Sequence, residues 1–223
     1  RYLIKKIIMQ LDIQDLKWAL TRLPSNIKAI MKEKEWHNNI FVGGGYLRAI
    51  VASEKINDVD LFVKSEKDAE LLAYKLCYEK KDVHKTDNAY TIKGKLPIQI
   101  IHRWVFENPY DVSNSFDFTI CCAVIFYESF LPAKMNSQSE EPKLIEQWNS
   151  FCDDRFYIDL ASRRLVYRCP VRNEDAGGSM LRVLKYYQKG YRIPLNSLGS
   201  VIARLVKAID KTGRKGVQKI IYQ

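Results

Sequence analysis

The stretch from Asn39 to Val63 constrains this chain more than any other. It runs Asn39-Ile40-Phe41-Val42, then Gly43-Gly44-Gly45-Tyr46-Leu47-Arg48, and later Asn57-Asp58-Val59-Asp60-Leu61-Phe62-Val63. A short apolar β-type run enters three glycines, a helical stretch follows, and a second apolar run carries two aspartates one residue apart. Glycines let the backbone turn tightly and approach a ligand without interference from a Cβ. A helix starting near Gly45 aims free N–H groups into that turn, where an anion is the natural guest. On a strand, Asp58 and Asp60 point to the same face because side chains alternate with period two. Two carboxylates so placed repel each other unless a hard divalent cation such as Mg²⁺ lies between them. Read separately, the glycines are a turn and the aspartates a solvated strand edge. Read together, in this order, they describe a nucleoside-triphosphate site.

The remaining chain supplies the body for such a site. Its 223 residues suit one large domain or a domain with a helical appendage. Apolar spacing predicts helices over Ile13–Leu23, from Ser25 or Asn26 to Lys34, over Tyr46–Ala52, and from Ser65 to about Lys80. Leu3, Ile4, Ile7 and Ile8 extend the helical pattern toward the amino end. Two β-type runs, Ala89–Ile92 and Leu96–Ile101, make a hairpin-like pair around Gly94. Asn108-Pro109 opens a short helix, and Phe116–Phe126 reads as a long central strand. Residues 135–143 read as an exposed loop and Phe151–Leu165 as holding a short helix. Helices over Ser179–Lys189, ended by Gly190, and over Leu195–Lys211 follow. The expected class is α+β, a mixed sheet flanked by helices with helical elements at both ends. The expected segments are a helical cover (1–37), a core (38–165) and a C-terminal helical segment (166–223).

Asp117 interrupts the apolar run Phe116-Asp117-Phe118-Thr119-Ile120. Burying an unpaired carboxylate is costly. Either Asp117 pairs with a buried arginine, or it is a third carboxylate facing Asp58 and Asp60 across neighbouring strands. Lys plus Arg number 36 against 26 Asp plus Glu, a formal net charge of +10 that suits a polyanionic partner or simply a basic surface. The five cysteines, Cys77, Cys121, Cys122, Cys152 and Cys169, show no metal-type spacing. They suit buried thiols in a reducing, cytoplasmic compartment. No apolar run reaches membrane-spanning length, so no membrane partner is expected.

The Gly-Gly turn followed by Asp-x-Asp resembles the DNA polymerase β-like nucleotidyltransferase superfamily. Gly44-Gly45-Tyr46-Leu47-Arg48 with Asp58-Val59-Asp60-Leu61-Phe62 looks most like the head domain of bacterial poly(A) polymerases and CCA-adding enzymes. Asp117-Phe118-Thr119-Ile120 is similar to their Asp-Phe-Thr-Ile-Asn motif, with Cys121 in place of the asparagine and Ser115-Phe116 in place of two arginines. Glu174-Asp175 with Arg182 and Lys185 resembles their Glu-Asp-x-x-Arg-x-x-Arg helix, although the acidic pair lies farther upstream. Tyr186, Tyr187 and Tyr191, interleaved with Lys189 and Arg192, suit base stacking or packing on a sheet. Ordered landmarks span about residues 38 to 192.

The resemblance implies a nucleotidyltransferase sheet and transfer of a nucleoside monophosphate to a hydroxyl, with an RNA 3′ end as the favoured acceptor. A protein or tRNA acceptor, as in nucleotidylating toxins, and a non-catalytic RNA- or nucleotide-binding module are the alternatives. It implies two Mg²⁺ ions about 4 Å apart on Asp58, Asp60 and Asp117, with a nucleoside triphosphate, ATP first, as substrate. Gly43, Gly44, Gly45, Arg48, Arg103, Asp175, Arg182 and Lys185 are the implied nucleotide contacts. In these families a carboxylate can also stand on the strand carrying Gln99, and Gln99 binds a metal less strongly, which shifts the third-ligand role to Asp117. His102 is expected to be structural, and Arg48, Arg103, Arg182, Lys185 and Lys189 to rim the cleft.

Overall fold

The structure, a computed structural model, describes residues 9–77, 82–131, 144–168 and 176–222. Two compact units emerge. The first takes the residues up to Ser113 together with Ala123–Cys152, and the second takes Asn114–Cys122 together with the residues after Cys152.

The first unit is built on a seven-stranded sheet. Its strands are β1 (Ile40–Gly43), β2 (Val59–Val63), β3 (Val83–Lys85), β4 (Ala89–Ile92), β5 (Ile98–Ile101), β6 (Ala123–Phe130) and β7 (Ile145–Cys152). They lie in the order β3-β4-β5-β2-β1-β6-β7. β2 and β5 run parallel and every other neighbouring pair is antiparallel. Leu61 and Phe62 point to opposite faces of β2, and both are buried. A central strand covered on both faces reads as a continuous apolar run, which is why Leu61-Phe62-Val63 shows no alternation. Around the sheet lie helices α1 (Ile13–Arg22), α2 (Ser25–Met31), α3 (Gly45–Val51) and α4 (Glu66–Leu76). Ser65 caps α4, its Oγ accepting from the Asp68 backbone N–H at 3.0 Å and donating to Asp68 Oδ2 at 2.7 Å. Ala69, Leu72, Ala73 and Leu76 form the buried face of that helix, which packs against β2, β4 and β5.

The second unit is helical, with α6 (Phe156–Ala161), α7 (Ala176–Gln188) and α8 (Leu195–Tyr222); the last two residues of α5 (Pro109–Ser115) begin its first segment. Phe118, Phe156 and Tyr191 are fully buried, and the Phe118 ring meets Tyr167 and Tyr186 at 5.5 and 6.1 Å. Gly190 ends α7 with φ of 87°, and the Tyr191 N–H reaches back to the Tyr186 carbonyl at 3.0 Å. Two buried acidic groups of this unit, Asp159 and Asp153, are held by arginines. Asp159, with no exposed surface, accepts from Thr119 Oγ1 at 2.7 Å and from Arg155 at 2.7 and 3.0 Å. Arg168 holds Asp153 at 2.6 Å.

Several sequence expectations are corrected. Phe116–Phe126 is not one strand. β6 starts at Ala123, and Thr119–Cys121 forms a 3-10 turn. The backbone of Asp117 and Thr119 pairs with Arg168 and Val166 in the second unit, not with the sheet. An apolar run tells that a segment is buried, not against what. Strands β3 and β7 have no counterpart in the sequence reading. α2 stops at Met31, α7 starts at Ala176, and α8 extends past Lys211 to Tyr222. The expected amino-terminal helical pattern before Met9, the end of the fourth helix at Lys80, and the loop at 135–143 lie outside the described residues.

Removing the Asp159 carboxylate strands the Thr119 hydroxyl and the Arg155 guanidinium beside it. Asp159→Ala is expected to cost about 2–4 kcal/mol. Thr119→Val, which deletes one hydrogen bond, is expected to cost about 1 kcal/mol. Urea unfolding of both variants checks the difference.

Candidate active site

The first unit holds the glycine turn and both aspartates. Gly43 closes β1, and its Cα lies opposite Asp60 on one side and Val124 on the other. Gly44 has φ of 72° and ψ of −133°, a combination that side chains with a Cβ strongly resist. Gly45 opens α3, and a Cβ there would meet nothing within 4 Å. The turn therefore demands a glycine at Gly44 and tolerates a side chain at Gly45. Tyr46 pins α3 from behind: it is almost wholly buried and its Oη donates to the Ala19 carbonyl of α1 at 2.8 Å. Burial also lifts its phenol pKa well above the usual range.

Asp58 stands immediately before β2 and Asp60 within it, both half-buried. Val59 between them is fully buried, and its N–H donates to the Pro97 carbonyl at 2.9 Å. The register continues outward from Asp60 to Gln99 on β5, Thr91 on β4 and His84 on β3. Partners opposite one another share a face, so Gly43, Asp60, Gln99, Thr91 and His84 form one row of small and polar residues. The adjacent row, Val42, Leu61, Ile100 and Tyr90, is buried and faces the other way. The sequence reading weighs Gln99 as a weaker metal ligand than a carboxylate, and the register places it opposite Asp60; Thr91, next in the row, is the residue that reading does not attach to the site.

The donor set decides what cation these residues suit. No group of three His, Cys, Asp or Glu side chains able to hold a metal occurs among the described residues. Two carboxylates and a neutral amide fit one hard divalent ion that takes its remaining ligands from water and phosphate.

The other expected site residues are engaged elsewhere. Arg48 is 3% exposed and its guanidinium pairs with Glu54, so it is not on a rim. The Glu54 N–H reaches the Ala49 carbonyl at 2.7 Å, so this pair fastens the segment that leads from α3 to Asp58. Arg103 donates to Asn88 Oδ1 at 2.7 Å and lies 5.0 Å from the Trp104 ring centroid. His102 contacts the Thr86 carbonyl oxygen through Nε2 at 2.9 Å. Asp117, Arg182 and Lys185 belong to the second unit. Arg182 donates to Asp117 Oδ2 at 2.8 Å, with the aspartate buried and the arginine half-exposed. Lys185 is exposed one turn along the same helix, and Lys189 is half-buried. Asp175 lies outside the described residues.

Gly44→Ala is expected to destabilise the protein by about 1–3 kcal/mol. Gly45→Ala is expected to be neutral or to stabilise by up to about 1 kcal/mol. Thermal melts of the two variants report the contrast. Asp117→Asn exchanges an ion pair for a weaker hydrogen bond in a buried place and is expected to cost about 1–3 kcal/mol. Chemical denaturation, with Arg182→Met as the partner variant, measures it.

Solved structures with the same fold include the Thermotoga maritima CCA-adding enzyme complexed with tRNA. It is 17% identical, with a TM-score of 0.57 over 95% of this chain and 50% of that one. A CCA-adding enzyme with CTP is 15% identical, with a TM-score of 0.56 over 95% of this chain and 49% of the other. At these identities the likeness is one of fold. The curated protein "Gabija anti-defense 2" of Bacillus phage SPbetaL7 is 30% identical over 112 residues, 45% of this chain and 27% of that protein. The chain thus spans about a quarter of the length of the curated relative it matches. A family model described as "Gad2: Gabija anti-defense 2 family protein" matches residues 21–139, just over half of the chain. The chain belongs to the Gabija anti-defense 2 family.

Proposed function

We propose that this protein is a phage anti-defense factor that works through a nucleotidyltransferase-type site centred on Gly43, Gly44, Asp58 and Asp60. The observation that carries the reading is the pairing of Gly43 with Asp60 across β1 and β2. It brings the glycine turn beside Asp60, which with Asp58 makes a carboxylate pair suited to a divalent ion. The fold shared with CCA-adding enzymes, described with tRNA, CTP and ATP, supports a nucleoside triphosphate, ATP first, as substrate.

In the proposed reaction an acceptor hydroxyl oxygen attacks the α-phosphorus of the triphosphate. The bond from that phosphorus to the bridging oxygen breaks, pyrophosphate departs and the hydroxyl proton is lost to solvent. Asp58 and Asp60 would hold Mg²⁺, whose charge offsets the phosphates and acidifies the attacking hydroxyl. Backbone N–H groups of the turn would orient the phosphates, and the Arg48–Glu54 pair would keep the Asp58 segment in place. Parts for Asp117 as a further ligand, and for Arg103, Asp175, Arg182 and Lys185 as nucleotide contacts, belong to the same proposal. The acceptor is an RNA 3′ end on the fold likeness, or a component of the Gabija defence on family membership. The buried thiols Cys121, Cys122 and Cys152 support action in a reducing intracellular setting.

A second reading, nucleotide or RNA binding without turnover, is favoured by two observations. Gln99 stands opposite Asp60 where a carboxylate would complete a ligand set, and Arg182 occupies Asp117.

Incubation with labelled ATP, Mg²⁺ and either total RNA or lysate of a Gabija-bearing host tests the proposal. Label is expected on RNA or on protein. Asp58→Asn and Asp60→Asn are expected to lower it by at least about 100-fold, with melting temperature kept within a few degrees, because an amide keeps the shape and loses the charge. The same variants are expected to lose protection of phage in that host. Full activity in the double variant would overturn the catalytic site.

A further inference from the structure

The helical unit carries a basic surface that its own backbone assembles. After α6 the chain reverses at Arg163, whose φ of 50° is a left-handed conformation usually left to glycine. The Arg163 N–H returns to the Leu160 carbonyl at 3.2 Å and the Arg164 N–H to the Asp159 carbonyl at 2.8 Å. The reversal brings Arg164 into a parallel bridge with Arg192, beyond the end of α7. That bridge is fastened on both sides. The Arg192 N–H donates to the Arg163 carbonyl at 2.8 Å, and the Leu165 N–H to the Arg192 carbonyl at 2.9 Å. Bridge partners lie about 5 Å apart and send their side chains to the same face. Arg164 and Arg192 are both exposed. Two guanidinium groups so placed repel each other, and an anion between them offsets that repulsion with two charge-assisted contacts.

An aromatic ring lies beside this pair. Of Tyr186, Tyr187 and Tyr191, the first and last are buried and pack on each other, their ring centroids 5.8 Å apart. Tyr187 is 58% exposed, and the Arg192 guanidinium lies 4.8 Å from its ring centroid. Arg163 holds the frame: its Nη1 donates to the Lys189 carbonyl at 3.0 Å, and its guanidinium lies 5.4 Å from the Tyr191 ring. Asp159, at the root of the turn, has its carboxylate buried against Thr119 and Arg155. We propose that Arg164, Arg192 and Tyr187 form a binding site for single-stranded nucleic acid, with a phosphate across the two arginines and a base stacked on the tyrosine. Cation and ring together select this ligand. An acidic peptide satisfies the guanidinium groups but offers nothing to stack on the ring, and a duplex keeps its bases stacked within itself. The inference goes beyond nucleotidyl transfer and does not rest on it, since no residue of the β2 site takes part.

Fluorescence anisotropy with labelled oligo(U) and oligo(dT) of about twelve nucleotides, without nucleoside triphosphate or Mg²⁺, tests it. The wild type is expected to bind single strands at least about tenfold more tightly than the same strands annealed to their complements. Arg164→Ala combined with Arg192→Ala is expected to weaken binding at least about tenfold near 0.1 M salt, and to lower the slope of log affinity against log salt by about 1. Tyr187→Ala is expected to weaken it by about 5- to 100-fold, and Tyr187→Phe by no more than about twofold, because the ring and not the hydroxyl stacks. Lys17→Ala combined with Lys67→Ala removes the same charge from exposed positions on α1 and α4 and is expected to cost less than about threefold. Circular dichroism confirms that each variant is folded. Site-dependent binding in either the ribose or the deoxyribose arm supports the inference and names the sugar taken. Four results would overturn it: a wild type that binds neither strand, duplex bound as well as single strand, a lysine pair that costs as much as the arginine pair, or folded arginine and tyrosine variants that bind like wild type. A wild type that takes up poly-glutamate but neither oligonucleotide would overturn it in favour of an acidic protein partner. A chain inactive in transfer can still pass every arm, so this inference and the transfer reading fail separately.

Discussion

Strand register is the constraint on which the candidate site depends. Gly43, Asp60 and Gln99 come from three strands and are brought into one row by the antiparallel pairing of β1 with β2 and the parallel pairing of β2 with β5. The next residue along each of β2 and β5, Leu61 and Ile100, is fully buried on the other face, alongside Val42 from β1. A slip of one residue would exchange the two rows. It would carry Asp60 into an apolar layer and move Leu61 and Ile100 out of it, which adds the cost of desolvating a charge to that of lost apolar burial. The apolar residues thus do more than hold the sheet together. They fix which way the aspartates point.

Several of the basic side chains are committed to carboxylates, pairs that leave the net charge unchanged. The net +10 invites a picture of a broad basic face. Yet Arg48 is buried against Glu54, Arg182 is bound to Asp117, Arg168 to Asp153, and Arg155 to the fully buried Asp159. Guanidinium groups suit such work because their planar forks satisfy two carboxylate oxygens at once, as Arg155 does with Asp159. Cys122 belongs to the second unit, and burial, with Cys121 and Asp153 beside it, raises its thiol well above the ordinary range, which suits a packing residue.

Fold and family speak to different levels of function. The likeness to CCA-adding enzymes is one of fold. Membership of the Gabija anti-defense 2 family describes a biological setting. A fold hosts chemistry only through its site, and here Gln99, an uncharged amide, stands opposite Asp60.

The local features were legible from the chain alone because their causes are local. The Gly44 turn follows from a backbone conformation, the Ser65 cap from a hydroxyl two or three residues from a free N–H, and the Gly190 stop from a left-handed residue at a helix end. The strands holding Asp60 and Gln99 were legible too, since burial on both faces leaves an apolar run. What the chain alone could not decide was pairing between distant segments. It could not tell that Phe116–Phe118 pairs its backbone outside the sheet, that Arg48 turns inward to Glu54, that Arg182 meets Asp117, or that Gln99 lies beside Asp60. Those neighbours are separated by many residues or set by strand order, and a sequence records which groups are present but not which of them share a face once the chain has closed on itself.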